Sequence, residues 1–394
     1  MGSSASARRA VGSSLPNIPA PGLGAKSKLF IPACRGPLCR QNFHSERRKF
    51  TRMDPAALGL SLASFIVAAA ISFGLLLWLK PLLARYALAK PNARSSHKEP
   101  TPQGGGLAVV AAAIIVAAPV EFFFLPQMDG PLQLQLTVLL ASAVSLALVG
   151  VIDDVRSLGA LPRLVLQTAA VAAVIATLPY EMRIIPAVPW WLDRALTLVG
   201  GVWLINLVNF MDGIDWMTVA EIVPITAGLA LFGLAGALPA YATLVAVVLC
   251  GAMIGFAPFN RPVAKLFLGD VGSLPIGLLL GWLLAVLASN THLVAAILLP
   301  LYYLADATIT LVRRLMKGEP LTQAHRSHFY QQALDNGFSV YQIVIRVFFL
   351  NLALVGLAAI AVSNRSAIVE VTALAAGAIL VGGLIKAFAS PRTR

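Results

Sequence analysis

Eleven apolar runs of about 17 to 25 residues, each long enough for a helix to cross a hydrocarbon layer, set the limits on this fold. They fall near residues 57–79, 105–125, 132–151, 163–180, 195–211, 217–236, 240–257, 273–289, 293–313, 340–361 and 367–386. Hydrophobic residues make up 58% of the 394 and charged residues only 12%, so most of the chain must face lipid or other buried helices. The expectation is an all-α, polytopic integral membrane bundle of about eleven transmembrane helices. The count is least constrained over 217–257, which is nearly continuous apart from Gly236 to Pro239.

A net charge of +13 on a soluble domain would suggest nucleic acid, but +9 of it sits in residues 1–52. That segment is rich in Ser, Pro and Gly, lacks hydrophobic periodicity, and holds no apolar run long enough for a signal sequence. It reads as a disordered basic tail, or as an over-extended start with translation beginning at Met53; residues 53–394 read as a single transmembrane domain. Nucleic acid is not an expected partner. Cys34 and Cys39 lie in the tail and Cys250 in an apolar run, which excludes a disulfide framework or a cysteine metal site.

Loops on the cytoplasmic side should collect Lys and Arg. If the loop after the first run is cytoplasmic, that side holds sixteen of them outside the tail and the opposite side three: Arg183, Arg194 and Arg365. Met53 is then outside, the C-terminus inside, and every polar cluster lies on the cytoplasmic face.

One such cluster is Asn206-Leu-Val-Asn209-Phe-Met-Asp212-Gly213-Ile-Asp215, at the end of an apolar run. Its four polar residues are three apart, a step that turns a helical side chain by about 300° and spreads them around half the helix. A helix that tightens, or breaks at Gly213, could aim them at one point. Ionisable groups at a membrane edge are functional candidates, with helix capping by Asp212 and Asp215 the structural alternative.

Four more clusters share that face. Thr101-Pro102-Gln-Gly104-Gly105-Gly106 runs straight into an apolar run, and its glycines suit close approach by a neighbouring backbone or a phosphate. Asp153-Asp154 is comfortable only in water, against basic residues or beside a metal ion. Phe267-Leu-Gly269-Asp270-Val-Gly272-Ser273 puts a carboxylate between glycines at a helix mouth, for metal or capping. His325-Arg326-Ser327-His328 lacks the further His or Cys of a zinc site, and its Arg points to an anion, so it reads as a phosphate or nucleotide clamp.

In this order the five motifs resemble the polyprenyl-phosphate N-acetylhexosamine-1-phosphate transferases, over residues 57 to about 388. The specific parts are Pro102-x-x-Gly105-Gly106, Asp153-Asp154, Asn206-x-x-Asn-Phe-Met-Asp-Gly-Ile-Asp, Phe267-Leu-Gly-Asp-x-Gly-Ser and His325-Arg-x-His. The resemblance implies transfer of a sugar 1-phosphate from a UDP-N-acetylhexosamine to undecaprenyl phosphate in a bacterial inner membrane, with release of UMP. It implies Mg²⁺, or Mn²⁺ in its place, with Asp270 and Asp154 as metal ligands and Asp153, Asp154 and Asp270 as the catalytic carboxylates. Asn206, Asn209, Asp212 and Asp215 match positions around the nucleotide and metal. His325, Arg326 and His328 match a loop over the nucleotide-sugar, and Thr101, Pro102, Gly104 and Gly105 a motif near the phosphates. A homodimer is compatible with the resemblance.

Two departures bear on sugar preference. Trp216 stands where the family usually has Gly, and Tyr330-Gln331 where further histidines often follow. The shorter histidine loop resembles the O-antigen-initiating branch. The alternative is a non-catalytic binding protein or transporter for lipid-linked sugars. A transporter would bury its polar residues near the midplane, and a binding protein has no need of Asp153, Asp154 and Asp270 together.

Overall fold

The computed structural model describes residues 55–89, 100–124, 130–320, 325–364 and 366–391. The basic tail, Met53, His97, Lys98 and Arg365 lie outside the described residues. Thirteen helices carry the described chain. They are α1 (Pro55–Tyr86), α2 (Gly106–Phe124), α3 (Gly130–Arg156), α4 (Ala160–Ala176), α5 (Trp190–Met211), α6 (Met217–Leu234), α7 (Ala240–Phe256), α8 (Asp270–Ser289), α9 (Leu293–Leu298), α10 (Leu301–Met316), α11 (Phe329–Asp335), α12 (Val340–Ser363) and α13 (Ala367–Ala389). Two-residue strands β1 (Leu88–Ala89) and β2 (Thr101–Pro102) pair antiparallel.

This is a multi-pass helical membrane protein. By length and composition seven helices can cross a membrane: α1, α3, α5, α6, α8, α12 and α13. α4, α7 and the apolar part of α2 are shorter. The run expected as one helix over 293–313 is instead broken between α9 and α10 at Leu299-Pro300, where proline has no N–H to donate to the preceding turn. The expected eleven helices thus become seven long ones, three short ones and a broken pair.

α8 is the axis of the bundle. Of its apolar stretch 94% is buried, against 22% for α1 and α13, which turn residues such as Leu62, Leu77, Ile368 and Ile379 outward. α2, α3 and α5 pack directly on it. Without an apolar-versus-water contrast inside a bilayer, such packing depends on close van der Waals fit at small residues. A Cβ on Gly277 would stand 2.6 Å from the Cα of Ile205, and one on Gly106 would overlap Gly272. These approaches bring the first turn of α8 among the ends of α2, α3 and α5, where the polar motifs lie.

Candidate active site

The first N–H groups of a helix lack partners within it and carry partial positive charge. At α8, Asp154 supplies the partner from the end of α3: its carboxylate accepts the N–H groups of Asp270 (3.0 Å) and Val271 (3.3 Å). Gly269 stands at φ 76°, and a Cβ there would lie 2.6 Å from the same carboxylate, so both the turn and the cap require glycine. Asp270 then turns toward α5 and α4. Asn209 donates to its Oδ1 (2.7 Å) and to Ser273 (2.9 Å), while Arg163 Nη1 lies 3.3 Å from its Oδ2. The same Arg163 nitrogen is 2.8 Å from Asp153 Oδ2, and the other Asp153 oxygen accepts the Leu158 N–H. Opposite charge and a helix N-terminus thus stabilise two adjacent carboxylates that would otherwise repel.

The 206–215 cluster divides its labour. α5 ends at Met211, two residues before Gly213, and the chain beyond is irregular to α6. Asn209 is the member that bonds Asp270. Asn206 donates to Gln167 on α4 (2.7 Å), tethering the helix that carries Arg163. Asp212 accepts the Thr218 hydroxyl. It keeps part of its surface open, but burial of the carboxyl pushes its pKa up to about 7, the Thr218 bond opposing and Asp154 and Asp215 adding to the rise. Asp215 is buried and accepts the Ala264 N–H (2.9 Å), latching the α7–α8 connection. Trp216 reinforces that latch, donating from its backbone to Asn260 (2.8 Å) and from its indole to Ala257 O (2.6 Å).

Thr101, Pro102, Gly104 and Gly105, expected near the phosphates, build the wall behind the site. Pro102 O accepts the Phe267 N–H, and the Gly105 and Gly106 N–H groups donate to Phe267 O and Leu268 O, so these two amides are spent on the neighbouring loop. A Cβ on Gly105 would come within 2.7 Å of the Phe256 ring. Of the two roles the glycines suited, backbone approach is the one seen. Gln103 completes the wall by donating to Asp154 O (2.8 Å).

The histidine loop reaches the site from α10. His328 and Tyr330 are buried, the His325 and His328 rings are 4.9 Å apart, and Phe210 of the 206–215 cluster lies 6.4 Å from His328. Tyr330 donates its hydroxyl to Phe210 O (3.1 Å), which fixes the loop to the end of α5. Arg326 faces Asp335 at 3.3 Å, with both side chains partly open to solvent. Such a pair is weak enough for an incoming anion to recruit the guanidinium.

Among the described residues no three His, Cys, Asp or Glu side chains form a ready-made metal cage. Magnesium does not need one, since it is typically held by one or two carboxylates plus substrate phosphates and water. Oxygens of Asp153 and Asp270 already gather around one positively charged nitrogen, Arg163 Nη1. These hard donors fit a divalent cation. Asp154, the other carboxylate expected to hold the metal, directs both oxygens at the α8 amides.

Two residues of this region were not singled out from the sequence. Arg163 counted only as a loop cation, although it follows Asp153-Asp154 by ten residues. Asp306 sits fully buried in α10, and a lone carboxylate inside an apolar run was the available signal.

Residues 136–288, from within α3 to the end of α8, match the family model described as "Glycosyl transferase family 4". That span contains Asp153, Asp154, Arg163, Asn209 and Asp270. The chain is 30% identical over 323 residues to decaprenyl-phosphate N-acetylglucosaminephosphotransferase of Mycolicibacterium smegmatis, covering 72% of this chain and 77% of that protein. The chain belongs to glycosyl transferase family 4. It is also 23% identical over 298 residues to the probable undecaprenyl-phosphate N-acetylglucosaminyl 1-phosphate transferase of Bacillus subtilis, 72% of this chain and 81% of that one. A third relative, phospho-N-acetylmuramoyl-pentapeptide-transferase of Neisseria meningitidis, is 28% identical over 178 residues, 41% of this chain and 47% of its own. In this family 4 transferase the matched region supplies the acidic end of the bundle. The glycine wall and histidine loop lie outside the family-model match.

Proposed function

We propose that this transferase moves an N-acetylhexosamine 1-phosphate from a UDP-sugar to undecaprenyl phosphate, releasing UMP and initiating a lipid-linked cell-surface polysaccharide such as O-antigen. The observation that carries the reading is the joining of Asp153, Arg163, Asn209 and Asp270 from four helices at one end of a membrane bundle. The relatives' names favour N-acetylglucosamine as the sugar. The positive-inside count supports a cytoplasmic position for this end, where UDP-sugars are made, in a bacterial inner membrane.

An oxygen of the lipid phosphate attacks the sugar-bearing β-phosphorus of the donor; one P–O bond forms, and the bond to UMP breaks. Both substrates are anionic, so catalysis rests on positioning and on positive charge facing the transferred phosphoryl group. Arg163 contributes such a charge between Asp153 and Asp270, and Asn209 holds the Asp270 carboxylate in orientation. Mg²⁺ held by Asp270 and Asp153 would offset phosphate charge. A cavity of about 260 Å³, lined by apolar residues including Val171, Leu204, Leu278 and Leu304, opens among α4, α5, α8 and α10 and suits part of an isoprenoid chain.

The test is incubation of purified protein with undecaprenyl phosphate, MgCl₂ and either UDP-N-acetylglucosamine or UDP-N-acetylgalactosamine, with UMP and the lipid product both quantified. Stoichiometric UMP and lipid diphosphosugar are expected. Absence of both with a folded protein would overturn the reading.

A further inference from the structure

Asp306 lies outside the acidic cluster and is completely buried. Its Oδ1 is within hydrogen-bonding distance of the Phe329 N–H (3.0 Å), His328 Nδ1 (3.2 Å) and the Thr310 hydroxyl (3.4 Å), and its Oδ2 meets the Tyr330 N–H (3.1 Å) and the Tyr302 hydroxyl (3.2 Å). A buried carboxylate is costly unless hydrogen bonds replace its hydration, and five potential donors do so here.

These donors come from two places. Thr310 and Tyr302 lie on α10 with Asp306 itself. His328, Phe329 and Tyr330 belong to the start of α11, so the carboxylate caps that helix from a neighbouring one. It also sets the His328 ring: an ionised Asp306 accepts from Nδ1–H, leaving the other ring nitrogen as the acceptor when the imidazole is neutral. The segment it holds contains Tyr330, whose hydroxyl reaches Phe210 O two residues before Asp212. Asp306 therefore connects the histidine loop to the acidic end through one rigid path.

We propose that Asp306 is a positioning residue that fixes the 325–331 segment, and the orientation and tautomer of His328, for binding of the nucleotide-sugar donor. It acts on the donor side, because the groups outside its own helix that it holds, at 328–330, belong to the histidine loop, whereas Asp153 and Asp270 are held by Arg163 and Asn209. The proposal rests on the transferase reading above.

The experiment compares wild type with Asp306→Asn, Asp306→Glu, His328→Gln and the double variant Asp306→Asn/His328→Gln. UDP-N-acetylglucosamine and undecaprenyl phosphate are titrated separately, and thermal stability is measured in detergent. Asn keeps the volume, but its NH2 must replace one of the two acceptor oxygens and so oppose the N–H of either Phe329 or Tyr330. The expected result is a donor KM raised about tenfold or more in Asp306→Asn, the scale of one lost charge-assisted hydrogen bond. The acceptor KM should change by less than about twofold, and Asp306→Glu should recover part of the donor loss. The double variant should be little worse than the worse single one, because residues acting as a unit are non-additive.

Equal changes in both KM values, or losses that add fully in the double variant, would overturn the positioning role. If Asp306→Asn does not fold, His328→Gln alone decides: an unchanged donor KM there sinks the proposal, and a selective rise supports it. Should wild type itself make no UMP, the transferase reading fails before Asp306 is tested.

Discussion

The phenolic oxygen of Tyr330 occupies the space that a Cβ on Gly213 would fill. A glycine that reads from the sequence as a helix breaker is needed for close approach. Its φ is not in the left-handed region, and α5 has already ended at Met211. Gly213→Ala should push Tyr330 off Phe210 O and cost about 1–3 kcal/mol, the usual penalty of overpacking. Thermal unfolding in detergent measures this loss. Tyr330→Phe in the Gly213→Ala background removes the closest atom and should recover part of it; no recovery would show that the clash lies elsewhere.

Among the described residues Arg163 is the one cation shared by Asp153 and Asp270, so its removal should reveal what the acids bind. In Arg163→Gln, turnover should fall on the order of 100-fold, the scale of losing one group that faces transition-state charge. Without Arg163 the two carboxylates repel, and added Mg²⁺ should raise the melting temperature more than in wild type. Asp270→Asn should abolish turnover in a folded protein and reduce that Mg²⁺-dependent rise. If the rise is the same in Arg163→Gln, Asp270→Asn and wild type, the cation does not sit between these acids.

Asp212 gives a pH prediction with a definite sign. Its folded-state pKa of about 7 lies above the ordinary 3.8, so the folded protein holds this proton more tightly than the unfolded chain does. The associated stability is fully present below about pH 4 and is lost as pH rises through about 7. In metal-free protein, Asp212→Asn should therefore melt higher than wild type at pH 8, with the difference shrinking toward pH 5. Thr218 can still donate to the Asn oxygen, so the comparison isolates the charge. A difference independent of pH would mean that Asp212 is not titrating in this range.

Apolar run length was enough to place helical segments, because lipid-facing and buried surface leave little else for those residues. It did not resolve the interruption at Pro300, since hydropathy averages over a single proline. The grouping of Asp153, Asp154, Asn209 and Asp270 was legible because polar groups at the ends of apolar runs have few places to go. Which partner each one takes was not. Spacing of three residues treats Asn206, Asn209, Asp212 and Asp215 alike, yet they reach Gln167, Asp270, Thr218 and Ala264 respectively. Those partners are set by where α4, α6 and the α7–α8 connection pack, which no local pattern encodes. Arg163 was missed for the same reason.

Trp216 stands at a backbone position that suits glycine. Its backbone is left-handed at φ 61°, a conformation that costs a side-chain-bearing residue on the order of 1 kcal/mol or more. The tryptophan offsets this with its indole bond to Ala257 O and an edge contact with Tyr341, whose hydroxyl in turn bonds Pro262 O. Trp216→Gly relieves the backbone but removes both side-chain contacts, so melting temperature should move little. The released segment is the 257–264 connection that leads into Asp270, and loosening it should alter how donors fit more than how metal binds. Turnover in Trp216→Gly should therefore shift the ratio of kcat/KM between UDP-N-acetylglucosamine and UDP-N-acetylgalactosamine, with the Mg²⁺ concentration for half-maximal rate unchanged. Parallel losses for both sugars would place selectivity outside this segment, and a shifted Mg²⁺ requirement would mean that the latch sets the position of Asp270 itself.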